Sequence, residues 1–495
     1  MFKYGIDHLT VDKVIAIANG KLEAVITEAA KEKVNVCRDK VETMANSDAA
    51  VYGINTGFGP LCDVQITPEE TSKLQENLLI THAVGVGNPI DKTLSKIMMI
   101  CKVHALCQGF SGVRLEMIER IVYFIENNIL PVVPEQGSVG ASGDLAPLSH
   151  LFLPLLGEGE FWVKDEILLA KEVLANHGLE PLTLMAKEGL GLINGTQFIL
   201  SHAIVGLKKM EYLLDLADVA GAMTLEGYSG NVSPFKEELH KIRPFKGNLK
   251  VAERMRMLLE GSQNVEDTSF PRVQDPYSIR CMPQVHGASR NAFHHLNELA
   301  EIEMNSVTDN PIVLSATEAI SGGNFHGQPL AMTLDYASIA AAELGNISDR
   351  RCYLLLEGKY GLPRLLTTGG GLNSGFMIPQ YTTAALVTEN KSLCFPPSAD
   401  SVPTSLGQED HVSMGSISGR KFNQILGNLD KVLAIELMYA AQAMDFRRPN
   451  TFSEIIEDNF TLIRSQVAKL EDDRVLKDDI NALVTMVKNQ EFTVA

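Results

Sequence analysis

Ser142 stands in a run dominated by small residues, Gly137-Ser138-Val139-Gly140-Ala141-Ser142-Gly143-Asp144-Leu145-Ala146-Pro147. Several kinds of chemistry use such a run, and spacing separates them. A glycine-rich phosphate cradle of the P-loop kind carries a lysine after its glycines, and none follows here. A nucleophile elbow needs Gly-x-Ser-x-Gly, which Gly140-Ala141-Ser142-Gly143 misses. A tight turn leading into a helix, with Ser or Asp as its N-cap, fits. So does a reaction of the backbone itself. The amide nitrogen of Gly143 can attack the Ala141 carbonyl if the turn compresses them together. Loss of water then closes a five-membered ring, and Ser142 loses its hydroxyl to become an exocyclic alkene. Glycine at 143 suits this, because a bare Cα leaves the nitrogen unhindered and tolerates unusual dihedrals. The product is a strong electrophile, which no ordinary side chain provides. The run alone leaves the turn and the electrophile both open.

Ala141 to Leu148, Ala-Ser-Gly-Asp-Leu-Ala-Pro-Leu, closely resembles the motif of the aromatic amino acid ammonia-lyase and aminomutase family. Members of that family make 4-methylidene-imidazol-5-one (MIO) from the Ala-Ser-Gly tripeptide. Further blocks resemble the same family in the same order: Tyr52 to Gly59, Asn194 to Gln197, Gln274 to Cys281, Asn305 to Pro311, Gly322 to Gly327 and Gln408 to Met414. The resemblance covers nearly the whole chain. It implies an MIO formed autocatalytically from Ala141, Ser142 and Gly143, with no external cofactor and no metal. It also implies a mainly α fold, in which a long-helix bundle core adjoins a smaller loop-rich N-terminal domain carrying the MIO site. The domains expected are 1–200 with the MIO-forming loop, 201–450 as the central bundle, and 451–495 as a C-terminal helical segment.

Roles follow position by position. Elimination of ammonia must break a β C–H bond of low acidity and expel a poor leaving group. Tyr52 matches the family's base. A free tyrosine has a pKa of about 10, so its surroundings must depress it for work near neutral pH. Arg280 is expected to clamp the substrate carboxylate through two parallel hydrogen bonds. Asn194 matches a residue that orients the carboxylate and supports the electrophile. Tyr277 matches a tyrosine beside the MIO, and Gln274 and Phe325 match pocket residues. Substrate choice falls to the pair after Leu74-Gln75-Glu76-Asn77-Leu78, here Thr81-His82. Tyrosine-specific members typically show His-Leu there, phenylalanine-specific members Phe-Leu, and histidine-specific members Ser-His. His82 can hydrogen-bond an imidazole nitrogen. Glu409 offers a carboxylate that suits an imidazole and suits a phenyl ring poorly. The reaction implied is L-histidine to trans-urocanate and ammonia. The alternatives are a tyrosine or other aromatic amino acid ammonia-lyase, a 2,3-aminomutase, or a non-catalytic oligomeric helical scaffold. Thr81 departs from the usual Ser, and Met282 stands where many histidine-specific members have Gln; both leave room for altered specificity.

These residues need rigid elements behind them. Helical spacing of apolar residues runs through 20–46, 68–83, 91–108, 284–305, 331–357, 411–445 and 453–490. Residues 433–445 are too apolar for a surface helix, which points to a surrounded position in a large core or an oligomer interface. The family forms homotetramers in which each site takes residues from more than one subunit, so a homotetramer is expected. The glycine-rich loops between helices are the natural places for a site. With 495 residues, 45% hydrophobic and 21% charged, the chain can bury a large core. A formal net charge of −18 speaks against nucleic-acid or anionic membrane surfaces as partners. The expected partner is a small amino acid. Seven cysteines without a CxxC pair argue against a disulfide framework or zinc site. With no apolar leader in MFKYGIDHLT, they suggest the cytoplasm.

Overall fold

The computed structural model of the chain describes residues 1–266 and 269–494. Helices dominate it, and the strands are short. Two compact units emerge, each assembled from three stretches of sequence.

The first unit comprises Met1–Val205, Leu296–Leu334 and Pro396–Arg420. Among the described residues it holds all the strands. The largest sheet is antiparallel and three-stranded, with Glu160–Val163 between Leu130–Pro131 and Glu166–Leu169. A second pairing joins Val86–Pro89 to Pro134–Gln136, which leads directly into the Ser142 loop. Three helices surround that loop: Pro68–His82, Leu145–Phe152 and Glu188–Ile193, each packed against the other two. The helix expected from residue 20 starts only at Glu28. Ala24–Val25 are instead paired with Phe2–Lys3, and Thr27 caps the helix by accepting from Ala30 N.

The second unit comprises Gly206–His295, Asp335–Phe395 and the chain from Lys421 onward. Four long helices each contribute part of their length to it: Gln197–Tyr228, Met282–Met304, Gln328–Leu355 and Gly415–Asp445, of 32, 23, 28 and 31 residues. These are two to three times the usual globular length of about 11–12 residues. Every residue from Val432 to Met444 is buried, as the all-round apolar composition requires. Two polar side chains in this stretch are satisfied from within. Glu436 pairs with Arg351 and accepts from Thr224, and Gln442 bonds the backbone of Leu366 and Leu470. In Gln197–Tyr228 only Glu211 is exposed. A helix buried all round has no apolar stripe, so periodicity does not reveal it.

Two expected helices are shorter than their sequence patterns. Residues 411–414 stay outside the last long helix, with Met414 at φ 54°. Residues 453–490 form two helices, Glu454–Gln466 and Lys477–Lys488. The acidic stretch between them is spent on a glycine-rich loop. The Asp473 carboxylate accepts from the amides of Ser374 and Gly375, and Asp472 accepts from Asn373. Those amides need acceptors that a continuous helix would have carried away. Among the described residues no helix is long and apolar enough to cross a membrane.

Candidate active site

The tripeptide is pinched between backbone segments. Ser142 has φ 50° and Gly143 φ 85°, the left-handed region that side chains resist. Beneath them runs Asn194-Gly195-Thr196. The Gly195 amide donates to Ser142 O at 3.4 Å, and the Asp144 amide donates to Gly195 O at 2.7 Å. A Cβ on Gly143 would lie 2.1 Å from Gly195 O, so only glycine permits this approach. On the other side, Ala141 packs with Val139, Val412 and Met414. The Met414 amide donates to Val139 O at 3.0 Å.

The turn reading and the electrophile reading of this run are therefore not exclusive. Asp144 directly precedes the helix Leu145–Phe152 but makes no side-chain bond to it. Its carboxylate accepts from the amides of Phe198 and Ile199, at 3.0 and 2.9 Å, and so caps the start of Gln197–Tyr228. Asp144 is fully buried, which pushes its carboxyl up to about 7 against the pull of these bonds. The cap ties the tripeptide to the start of this 32-residue helix.

Glu409 reaches the tripeptide directly. Ser142 Oγ donates to Glu409 Oε1 at 3.1 Å, across 267 residues of sequence. Oε2 accepts from Thr404 Oγ1 and Ser405 Oγ, at 2.9 and 2.7 Å, which fixes the carboxylate's orientation. Tyr52 lies close enough to Glu409 for the two to interact electrostatically. Here the structure departs from expectation. Burial raises the Tyr52 phenol above its ordinary value, Cys62 and Glu409 raise it further, and only a backbone bond with Gly59 opposes them. The depression that a tyrosine base needs is not supplied by these neighbours. Phe325 is half-buried in the same unit, beside His326, whose ring stacks on His411 at 5.7 Å and whose Nε2 meets His411 O at 3.3 Å.

Asn194 ends the helix Glu188–Ile193 and is buried. Its Nδ2 donates to Asn310 O at 2.8 Å, while Oδ1 is buried with no hydrogen-bond partner among the described residues. His82 closes Pro68–His82, its Nδ1 lying 2.8 Å from Leu78 O and 3.1 Å from Thr81 Oγ1. That arrangement leaves Nε2 for another partner. The exposed Thr81 turns its hydroxyl back to Asn77 O at 2.8 Å.

Gln274, Tyr277 and Arg280 belong to the second unit and form a group of their own. Arg280 Nε donates to Asp275 O at 2.9 Å, and its guanidinium lies 4.5 Å from the centroid of the Tyr277 ring. Tyr277 is 71% exposed, and Gln274 is exposed as well. Met282 is not a pocket residue of this unit. It is fully buried, with Sδ filling the space a side chain at Gly221 would need.

Sequence reasoning passed over two residues at the site. One is Asp144 as the cap of a distant helix. The other is Lys102, whose Nζ donates to the carbonyls of Gly191 and Asn194. The signal for Lys102 was legible, because a lone lysine stands in the apolar run Ile97 to Val103 of a helix buried from Leu94 to Leu106. Among the described residues, no group of three or more His, Cys, Asp or Glu is arranged to hold a metal ion.

A family model described as aromatic amino acid lyase matches residues 9–465. Histidine ammonia-lyase of Symbiobacterium thermophilum is 46% identical over 490 residues, covering 99% of this chain and 97% of that one. The crystal structure of histidine ammonia-lyase from Trypanosoma cruzi aligns with a TM-score of 0.91 at 40% identity, over 99% of this chain and 94% of that one. Tyrosine aminomutase from Streptomyces globisporus aligns with a TM-score of 0.94 at 33% identity, over 99% and 97%.

Proposed function

The chain belongs to the aromatic amino acid lyase family, and from that premise we propose that it eliminates ammonia from L-histidine to give trans-urocanate. The observation that carries the substrate choice is the Glu409 carboxylate, fixed by the Thr404 and Ser405 hydroxyls within reach of residue 142. A carboxylate at that point favours a protonatable imidazole. Against a phenyl ring it would be a desolvated, unpaired charge.

The residues present fit an MIO at 141–143. Backbone at φ 50° and 85° with Gly195 pressed against Gly143 supports cyclisation, and the unpartnered Asn194 Oδ1 leaves a polar atom beside it. An MIO formed from Ala141, Ser142 and Gly143 supplies an electrophile for the substrate amine. The rest falls to side chains. Arg280 binds the substrate carboxylate in a bidentate grip, with Tyr277 and Gln274 beside it. His82 bonds the imidazole through Nε2, with Thr81 and Phe325 on the pocket wall. Asn194 orients the carboxylate end.

Tyr52 takes the β proton, and Glu409 couples that step to the substrate. Burial is the main cause that holds the Tyr52 phenol high, and the neighbouring Glu409 adds to it. An imidazolium beside Glu409 offsets the part of that rise due to Glu409, so substrate binding lowers the Tyr52 pKa by that part. A tyrosine substrate brings no such charge.

We also propose a cytoplasmic homotetramer in which a partner subunit's copy of the 274–280 group completes each site. The apolar side chains of Met332, Tyr336 and Ile339 stand exposed at i, i+4 and i+7 of one helix, a stripe suited to a subunit contact. A second reading, action on tyrosine as lyase or aminomutase, draws on the likeness to tyrosine aminomutase. Parallel assays on histidine, tyrosine and phenylalanine separate the two. Faster turnover of tyrosine than histidine, or a β-amino acid product, overturns the proposal.

A further inference from the structure

Lys102 stands at a point where a charge is expensive. It is 2% exposed, on a helix buried on every side from Leu94 to Leu106. Among the described residues its Nζ forms no ion pair. It donates to Gly191 O at 3.1 Å and to Asn194 O, the carbonyls at the end of the helix Glu188–Ile193. A cation there also meets the negative end of the helix dipole. Burying an ammonium without a carboxylate against it is unfavourable, because the lost hydration is only partly replaced. A methionine of similar length would fill the space without that cost.

The geometry shows what the ammonium holds. Asn194 O and Gly195 lie in the strip beneath the tripeptide, and Gly195 bonds Ser142 and Asp144 through both its amide and its carbonyl. On its other flank, Asn194 Nδ2 is fixed to Asn310 O, and Asp309 Oδ1 accepts from Asn310 N at 2.7 Å. Asp309 Oδ2 is in turn paired with the fully buried Lys187 at 2.7 Å. Two buried lysines therefore hold the strip, one through the carbonyls of Gly191 and Asn194 and one through Asp309. The charged groups acting on Lys102 are Asp309 and Asp144, which support its proton, and Lys187, which opposes it; burial outweighs them all and lowers it to about 7.

We propose that Lys102 is a positioning residue for maturation: its ammonium clamps Asn194-Gly195 under Ala141-Ser142-Gly143, so that the Gly143 nitrogen is pressed toward the Ala141 carbonyl. This rests on the reading above that the tripeptide becomes an MIO. In that change the Gly143 N–C(Ala141) bond forms, and the Ala141 oxygen leaves as water with the amide hydrogens of Ser142 and Gly143. Ser142 then loses its Cα hydrogen and its hydroxyl as a second water. No oxidant or reductant is required.

The test is the intact mass of the purified full-length protein, which reads the loss of two waters independently of activity. Lys102→Met removes the donors and the charge while keeping the length, and Lys102→Arg keeps both. The expected result is a mature fraction about tenfold or more below wild type in Lys102→Met, the effect of losing one charged hydrogen bond's worth of alignment. Lys102→Arg is expected to recover at least about half of the wild-type fraction. Helical circular dichroism and elution volume should be unchanged in both, and activity per mature subunit should be close to wild type. Full maturation of Lys102→Met overturns the proposal, as does a Lys102→Arg that matures no better. Loss of the fold in Lys102→Met makes Lys102 a stability residue and overturns it equally. If the wild-type chain itself keeps both waters, the function proposed above fails instead.

Discussion

Gly143→Ala puts the central geometry under direct strain. The new Cβ would sit 2.1 Å from Gly195 O, 2.5 Å from its carbonyl carbon and 3.0 Å from its Cα. All three are backbone atoms, so no side chain can swing away. Reaching ordinary contact means moving the two segments apart by about 1 Å or more. That motion breaks the Asp144 N to Gly195 O bond and the weaker Gly195 N to Ser142 O bond, at about 0.5–1.5 kcal/mol each. An alanine at φ 85° adds about 1–2 kcal/mol. Together these disfavour the closed geometry by about 3 kcal/mol, which lowers its population about 100-fold. The rate of maturation should fall by the same factor, measured as the time course of two-water loss by intact mass after a pulse of synthesis. The helical fold should persist, because the strain is local to one loop. Maturation within about threefold of wild type would show that the segments need not approach this closely, and would refute the argument.

Three other outcomes are expected. Glu409→Gln removes a charge that raises Tyr52, so the Tyr52 phenol should titrate at lower pH, read as a tyrosinate difference spectrum against Tyr52→Phe; a shift upward contradicts the contact. Asp144 has its carboxyl pushed from 3.8 to about 7 by burial, so the folded state holds that proton more tightly than the unfolded chain. Its contribution to stability is present below about pH 4 and is lost as pH rises to about 7. Asp144→Asn, which keeps an oxygen for the amides of Phe198 and Ile199, should remove that loss; equal differences in denaturation midpoint between pH 4 and 7 in both proteins would sink it. Arg351→Met leaves the fully buried Glu436 without its counter-charge and should cost about 3–5 kcal/mol in chemical denaturation, with Glu436→Gln restoring part of it.

Several features were legible before any coordinates. Most helices appear where the apolar spacing places them, and the expected surrounded stretch 433–445 is buried through Met444. Legibility fails where structure depends on a remote partner. Residues 453–490 read as one helix because nothing local announces that Asp473 belongs to the amides of Ser374 and Gly375. Met282 resembled a specificity position by its place after Arg280-Cys281, yet it fills the space over Gly221. Tyr52 could be assigned a task from its motif, but not the environment that Glu409 and burial create around it.

The sequence by itself determined which atoms are available for reaction: a glycine nitrogen next to an alanyl carbonyl, a serine hydroxyl between them, and the phenol, guanidinium and carboxylates in recognisable blocks. Bond-making potential resides in residue type and short spacing, so it survives without a fold. Tertiary structure alone decided how those atoms are held and charged. It set Glu409 on Ser142 across 267 residues, spent Asp144 on the helix at Phe198, and buried Lys102 beneath Asn194. Distances and local dielectric fix pKa values and compress the loop, and both arise only when remote segments pack.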